Sequence, residues 1–365
     1  MLLVARWYKQ FAPIAVYGDG QILGYRNGWL CTMKQDGEIS RICKMPNTSI
    51  DRMKESIRLI NRVFRKDVRT SCITDSEDVY FFKSKRFYRY KRHAHEAEEI
   101  KMMPPASSIP LNITPTLKET RHILLWGDYS SNNSREVVNI WGLTKGDKVE
   151  IVYQFQAGSV RHVHNIVPDE NGKGYYIFTG DNDEKAGIYY SNTDFSEVTP
   201  LFTGNQKARA VQGYYFENGI IYATDSVCEQ NYICFLKKKN GAWEHQVIAP
   251  IDGSCIYATR RQNKLYFSTT VEAQETENQN MFLAYLSTKR GTGILSNHVE
   301  IISVDKQLNI KKEFVFEKDS LPYKLFQYGV VMFPPSLSET LVIYPVGVKK
   351  YDGHMGIMDC QEECR

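Results

Sequence analysis

The stretch 173-KGYYIFTGDND-183 decides how this chain is read. Four consecutive apolar or aromatic residues, Tyr175–Phe178, lie between glycines and run into a small polar cluster. A run that short, ending in a small polar residue and a turn, is a β-strand. The same figure recurs as 124-LLWGDY-129, 218-NGIIYATDS-226 and 265-LYFSTTVE-272. Asp128, Asp181, Asp225 and Thr269 mark the strand ends, at separations of 53, 44 and 44 residues. A period in the forties with several strands per repeat is the mark of a β-propeller. At about 50 residues per blade, a chain of 365 residues makes an all-β propeller of seven four-stranded blades, with six as the alternative, read as one domain over residues 1–365.

One segment breaks the pattern. Residues 49–66 carry apolar side chains at 50, 53, 57, 60 and 63/64, which is helical spacing. We read a single amphipathic helix capped by Thr48 or Ser49, packing its apolar stripe on a blade, with Arg62, Arg65 and Lys66 on its polar side.

Composition excludes several functions. Charge is nearly balanced, 46 basic against 42 acidic residues, so no dedicated nucleic-acid surface is expected. The basic-aromatic stretch 83-KSKRFYRYKR-92 is followed at once by acids and reads as an exposed strand. No run of 18 apolar residues exists, so no membrane helix is expected. The opening MLLVARWYKQF lacks the long apolar core of an export signal. The chain as given therefore reads as cytoplasmic, or as exported if a signal was removed. Eight scattered cysteines without a CxxC pair read as reduced thiols.

The chemistry-bearing residues concentrate in the central third. In 159-SVRHVHNIV-167, His162 and His164 stand two apart in a strand, hence on one face. The stretch 204-GNQKARAVQG-213 opens the next blade in the same register. It should bring Gln206 and Arg209 beside the histidines, with Asp128, Asp181 and Asp225 approaching from strand ends. A guanidinium on an apolar strand needs a partner or a ligand. Two same-face imidazoles with an amide can hold a divalent metal, which gives His162, His164 and Gln206 as a candidate metal set. The same groups can instead abstract a proton beside a paired carboxylate, or carboxylates can hydrolyse a glycosidic bond.

These motifs resemble the sialidase-like, Asp-box (BNR-type) propellers, in particular their bacterial glycosyl-hydrolase-like branch. The residues that carry the resemblance are Arg161-His162-Val163-His164, Thr179-Gly180-Asp181 with Asp183-Glu184, Gly187–Ser191 followed by Asp194, Gln206 with Arg209-Ala210-Val211, and Thr224-Asp225. The Asp-box turns themselves are degenerate in 191-SNTDFSEVT-199 and 142-GLTKGDKVE-150. The resemblance implies a carbohydrate-active propeller, a glycoside hydrolase or polysaccharide lyase, acting on a uronate- or sialate-containing glycan. It implies His162, His164, Arg209 and Asp181 as catalytic groups, with Arg161, Gln206, Asp128, Asp225 and Tyr257 as substrate contacts. A true sialidase would also need an arginine triad and a tyrosine nucleophile with a glutamate partner, and no such pair is evident. The alternative is a propeller that binds a glycan or a protein without turnover, in polysaccharide biosynthesis for example.

Overall fold

The computed structural model describes residues 3–46, 48–100, 109–117, 120–180, 184–216, 219–274 and 281–359. The chain is a seven-bladed β-propeller: seven separate four-stranded sheets, with antiparallel pairing between neighbouring strands. In six of them the strands follow chain order, from an inner first strand to an outer fourth. The inner strands are Ala12–Val16, Ser71–Ile73, Thr114–Pro115, His162–Pro168, Ala210–Phe216 and Ser254–Arg261. The seventh sheet runs Val330–Met332, Leu341–Val346, His354–Asp359 and then Leu3–Lys9, so the first strand of the chain completes the last blade.

The strands pack into two compact units. One comprises Met1–Ile100, Tyr257–Gly291 and Ser296–Arg365; the other comprises Lys101–Ile256 and Thr292–Leu295.

Burial explains why the deciding stretch carries no alternation. Every residue of the second strand Gly174–Gly180 is buried. Tyr175 and Ile177 face the core shared with the preceding blade, with Leu125 and Ile140. Tyr176 and Phe178 face the core shared with the following blade, with Ile220 and Tyr222. A strand sandwiched between two sheets must be apolar on both faces, so its sequence is a continuous run. The fourth strand Val198–Thr203 is the outer edge of its sheet and exposes half of its residues. The segments 142–150 and 191–199, expected to be degenerate Asp boxes, are turns between third and fourth strands. In the second, Asp194 Oδ1 accepts from the Ser196 amide (3.1 Å) and hydroxyl (2.7 Å).

The expected helix forms, but as two. α1 (Ser49–Ser56) starts in a capping box, in which Thr48 Oγ1 accepts from the Asp51 amide and the Asp51 carboxylate reaches back to the Thr48 amide. Ile57 then turns extended, and α2 (Arg58–Phe64) begins in a new phase. This break inverts the expected packing. Ile50, Met53, Ile57 and Phe64 are about half exposed or more, whereas Arg62 is 1% exposed. Arg62 is therefore buried in its unit instead of on a solvated polar side. Its Nε donates to the Phe326 carbonyl (2.7 Å) and its Nη1 to Asp319 (2.5 Å), with Asp352 at 3.6 Å. Two further short helices, α3 (Met281–Leu286) and α4 (Tyr323–Phe326), lie in the same unit. Among the described residues no helix is long and apolar enough to cross a membrane, and the six described cysteines are free.

Removing the Arg62 guanidinium would leave Asp319 with Lys318 alone and the Phe326 carbonyl without its donor. Arg62→Ala should lower unfolding free energy by about 3–5 kcal/mol, read as a fall in the urea midpoint at unchanged slope. Arg62→Ala combined with Asp319→Asn should recover part of that loss. An unchanged midpoint in the single variant would show that the buried network contributes nothing.

Candidate functional site

The histidines are placed by a bulge. His162 and Val163 pair with Gly180 and Thr179, and the register then slips so that Asn165 pairs with Phe178. His164 is the extra residue, and the slip re-aims its ring. Gly180 makes the room: a Cβ there would stand 2.0 Å from His164 Cε1 and 2.2 Å from its Nε2. The two rings end with Nε2 facing Nε2 at 3.0 Å.

The other ring nitrogens fix the tautomers. His162 Nδ1 lies 2.8 Å from the Ser130 carbonyl, and His164 Nδ1 lies 2.8 Å from the Ala210 carbonyl. A carbonyl oxygen only accepts, so both Nδ1 atoms carry the proton. The chain from carbonyl to carbonyl thus has three links, and two neutral imidazoles supply two protons. The middle link needs one more proton or another cation. Burial opposes it, and the Arg209, Arg161 and Arg135 guanidiniums add to the opposition, holding His162 down to about 4. His164 is pushed well below its ordinary value by burial, then by His162 and Arg209. The pair therefore stays neutral in a cation-rich setting.

The remaining candidates fall into two groups. Arg209 belongs with the pair: it is 8% exposed, acts on both imidazoles, and stands with its Nε 3.7 Å from Asp225 Oδ2. Asp225 follows the strand Gly219–Thr224, and its amide donates to the Arg209 carbonyl at 2.9 Å. Gln206 sits in a single 3-10 turn, its Oε1 accepting from the Ser226 hydroxyl next to Asp225 at 3.3 Å. Arg161 acts on His162 electrostatically and ties down the loop after Gly127, donating to the Ser131 carbonyl and to Asn133 Oδ1.

Asp128 is not brought into this group as an open carboxylate. One oxygen accepts from the Asn139 amide and side chain, and the other accepts from the Trp141 indole at 2.7 Å. It braces its own blade, as residues at strand ends commonly do. Asp181 lies outside the described residues. Tyr257 belongs to the other unit, where burial raises its phenol, with Glu272 adding to the rise and Arg69 and Arg65 opposing it. Among the described residues no group of three or more His, Cys, Asp or Glu side chains is arranged to hold a metal ion. The candidate metal set therefore goes no further than the two facing Nε2 atoms and Gln206.

Two features escaped the sequence reading. Tyr129 stacks obliquely on the pair, its ring 4.7 Å from that of His162. An amide ladder also runs along the inner strands: Gln212 donates to Asn112 at 3.0 Å, Asn165 donates to Gln212 at 2.9 Å, and Asn112 donates to the His164 carbonyl at 3.0 Å. Its signal was the polar residue after each opening motif, Asn165 after 161-RHVH-164 and Gln212 after 209-RAV-211.

No family model matches the chain, and no curated protein matches it. Solved structures do. The virginiamycin B lyase of Staphylococcus aureus matches with a TM-score of 0.59 at 12% identity, over 99% of this chain and 98% of that one. A chain of the mitotic checkpoint complex matches at 0.55 and 11% identity, over 98% and 94%. The WD40 propeller domain of Doa1 matches at 0.54 and 10% identity, over 98% and 97%. At such identities the likeness is one of fold, and the fold is shared by proteins of unrelated function.

Side-chain ¹⁵N spectra should show both histidines as neutral Nδ1–H tautomers through neutral pH, with His162 taking a proton only near pH 4. The unfolded chain binds that proton near 6.5. Between the two values the unfolded state holds more protons, so the contribution to stability is complete above about pH 6.5 and declines as pH falls toward 4. Gly180→Ala should displace His164 and abolish the paired tautomer signature. Ordinary titration near 6.5 in the parent protein would contradict this account.

Proposed function

We propose that the propeller is a carbohydrate-active protein of the sialidase-like type that takes an acidic, uronate- or sialate-bearing glycan at the His162–His164–Arg209 group, with elimination as its chemistry. The observation that supports this most is the cation-rich setting of a proton-deficient imidazole pair. Arg209, Arg161 and Arg135 all act on His162. Asp225 is the carboxylate beside Arg209.

A sugar carboxylate supplies the missing negative charge and pairs with a guanidinium. That pairing also acidifies the adjacent carbon. A neutral imidazole Nε2 is the base that elimination needs: it takes the proton from that carbon, the C=C bond forms as the β C–O bond breaks, and the leaving oxygen takes a proton from water. Hydrolysis is less well served. It asks for two carboxyl groups flanking the bond, and Asp128 is committed to its own blade. Arg161, Gln206 and Asp225 then serve as substrate contacts, and Tyr129 offers a ring face to a sugar.

A binding role without turnover is favoured by one observation: both histidines are buried, at 9% and 3% exposure, with each Nδ1 bonded to a backbone carbonyl and the two Nε2 atoms turned toward each other. The two readings part on one experiment. Purified protein is incubated with polyuronates and sialylated glycans, and product is read by the ultraviolet absorbance of unsaturated uronate and by reducing ends. Elimination predicts unsaturated product, with kcat/KM falling roughly 10²–10⁴-fold in His162→Ala and affinity falling in Arg209→Ala. Binding without product, weakened in Arg209→Ala, supports the non-catalytic reading. No binding and no product across the acidic glycans would overturn both.

A further inference from the structure

The unit that holds the helices has a cavity of about 520 Å³, within the range of small-molecule sites. Its walls come from α1, α2, the turn after Ile22–Arg26, and the residues flanking the pairing of the first and last strands. Tyr25, Glu55, Arg58, Asn61, Asp352 and Tyr344 carry the argument.

The buried charges in the wall are already matched, while Lys9 and Arg26, which also line the cavity, are more exposed. Arg58 grips Asp352 with two bonds, Nε to Oδ2 at 2.9 Å and Nη2 to Oδ1 at 3.0 Å, and reaches Asp67 with Nη1 at 2.7 Å. Behind it Arg62 bonds Asp319, which also pairs with Lys318. Three cations thus meet three carboxylates. Glu55 is held by Lys83 at 2.7 Å and by the Tyr25 hydroxyl, with Glu55 and Lys83 side chains 3% and 2% exposed. Gly353 keeps Arg58 in place: it sits at φ +69°, and a Cβ there would lie 2.6 Å from Arg58 Nε.

Among the lining residues one buried group is left over, besides Arg62 Nη2 behind the wall. Asn61 is 8% exposed and lines the cavity, yet its buried Oδ1 has no hydrogen-bond donor among the described residues. An acceptor left in that state costs about 1–3 kcal/mol. The wall asks for a donor. It offers no unmatched buried charge to an ion, whose desolvation would go uncompensated. A hydroxyl group answers both conditions, since it donates a hydrogen bond to Asn61 and carries no charge.

We propose that this cavity binds a neutral, hydroxyl-rich small molecule, a sugar or a polyol, with one of its hydroxyls donating to Asn61 Oδ1. This site is separate from the acidic-glycan reading, because it belongs to the other unit and uses none of the same residues.

The test is titration of the full chain with glucose, galactose, mannose, myo-inositol and glycerol. It is followed by calorimetry and by amide shifts in the ¹H–¹⁵N spectrum. The expected result is saturable binding by at least one of them, with shifts at Asn61 and Gly353, weakened roughly tenfold in Asn61→Leu and unchanged in His162→Ala. Asn61→Asp, which keeps an acceptor, should retain binding and serves if the leucine variant does not fold. Absence of saturable binding across the panel would overturn the proposal and leave water as the partner of Asn61. Binding that is indifferent to Asn61→Leu in a folded protein, or that shifts neither residue, would overturn it as well.

Discussion

The pairing of Leu3–Lys9 with His354–Asp359 is the constraint on which much else rests. Six residue pairs join the first strand of the chain to the last, from Leu3 with Asp359 to Lys9 with His354. Without it the seventh blade would be a three-stranded sheet with a bare hydrogen-bonding edge. The same pairing sets the cavity. Lys9 and Gln10 leave the strand at its end, Gly353 and His354 enter the partner strand opposite, and all four line the space. A contact with one of the largest sequence separations in the chain thus closes a sheet and shapes a pocket together. Such contacts cost loop-closure entropy before they return any stability.

Polar groups in the two units follow different rules. Around Arg58 and Arg62 each buried charge meets an opposite charge at bonding distance, so burial is compensated. Around His162 and His164 the count of protons falls one short of the count of links, and the nearby groups are mostly cations. The first arrangement is suited to hold a shape and accept a neutral guest. The second lacks a proton that burial and the neighbouring guanidiniums keep away. Perturbed groups of this second kind concentrate at sites that do chemistry.

Much was legible in the chain. The blade architecture follows from runs such as Tyr175–Phe178, whose apolar character on both faces only a doubly covered strand requires. The association of His162, His164 and Arg209 followed from register alone, because inner strands of successive blades begin alike. Thr48 or Ser49 marked the start of α1, and the structure settled on Thr48.

What the residues alone determined was local: strand and helix, period, and which positions open a blade. These depend on neighbours a few places away. The tertiary structure decided the rest, because it turned on distant partners. The break at Ile57 turned Arg62 inward only because Asp319 and the Phe326 carbonyl wait there. Asp128 was spent on Trp141 because the adjacent strand delivers the indole to it. The facing Nε2 atoms needed a bulge, a glycine and two carbonyls from other loops. Pattern fixes where a side chain starts; the partner that satisfies its charge or its hydrogen bond fixes what it does.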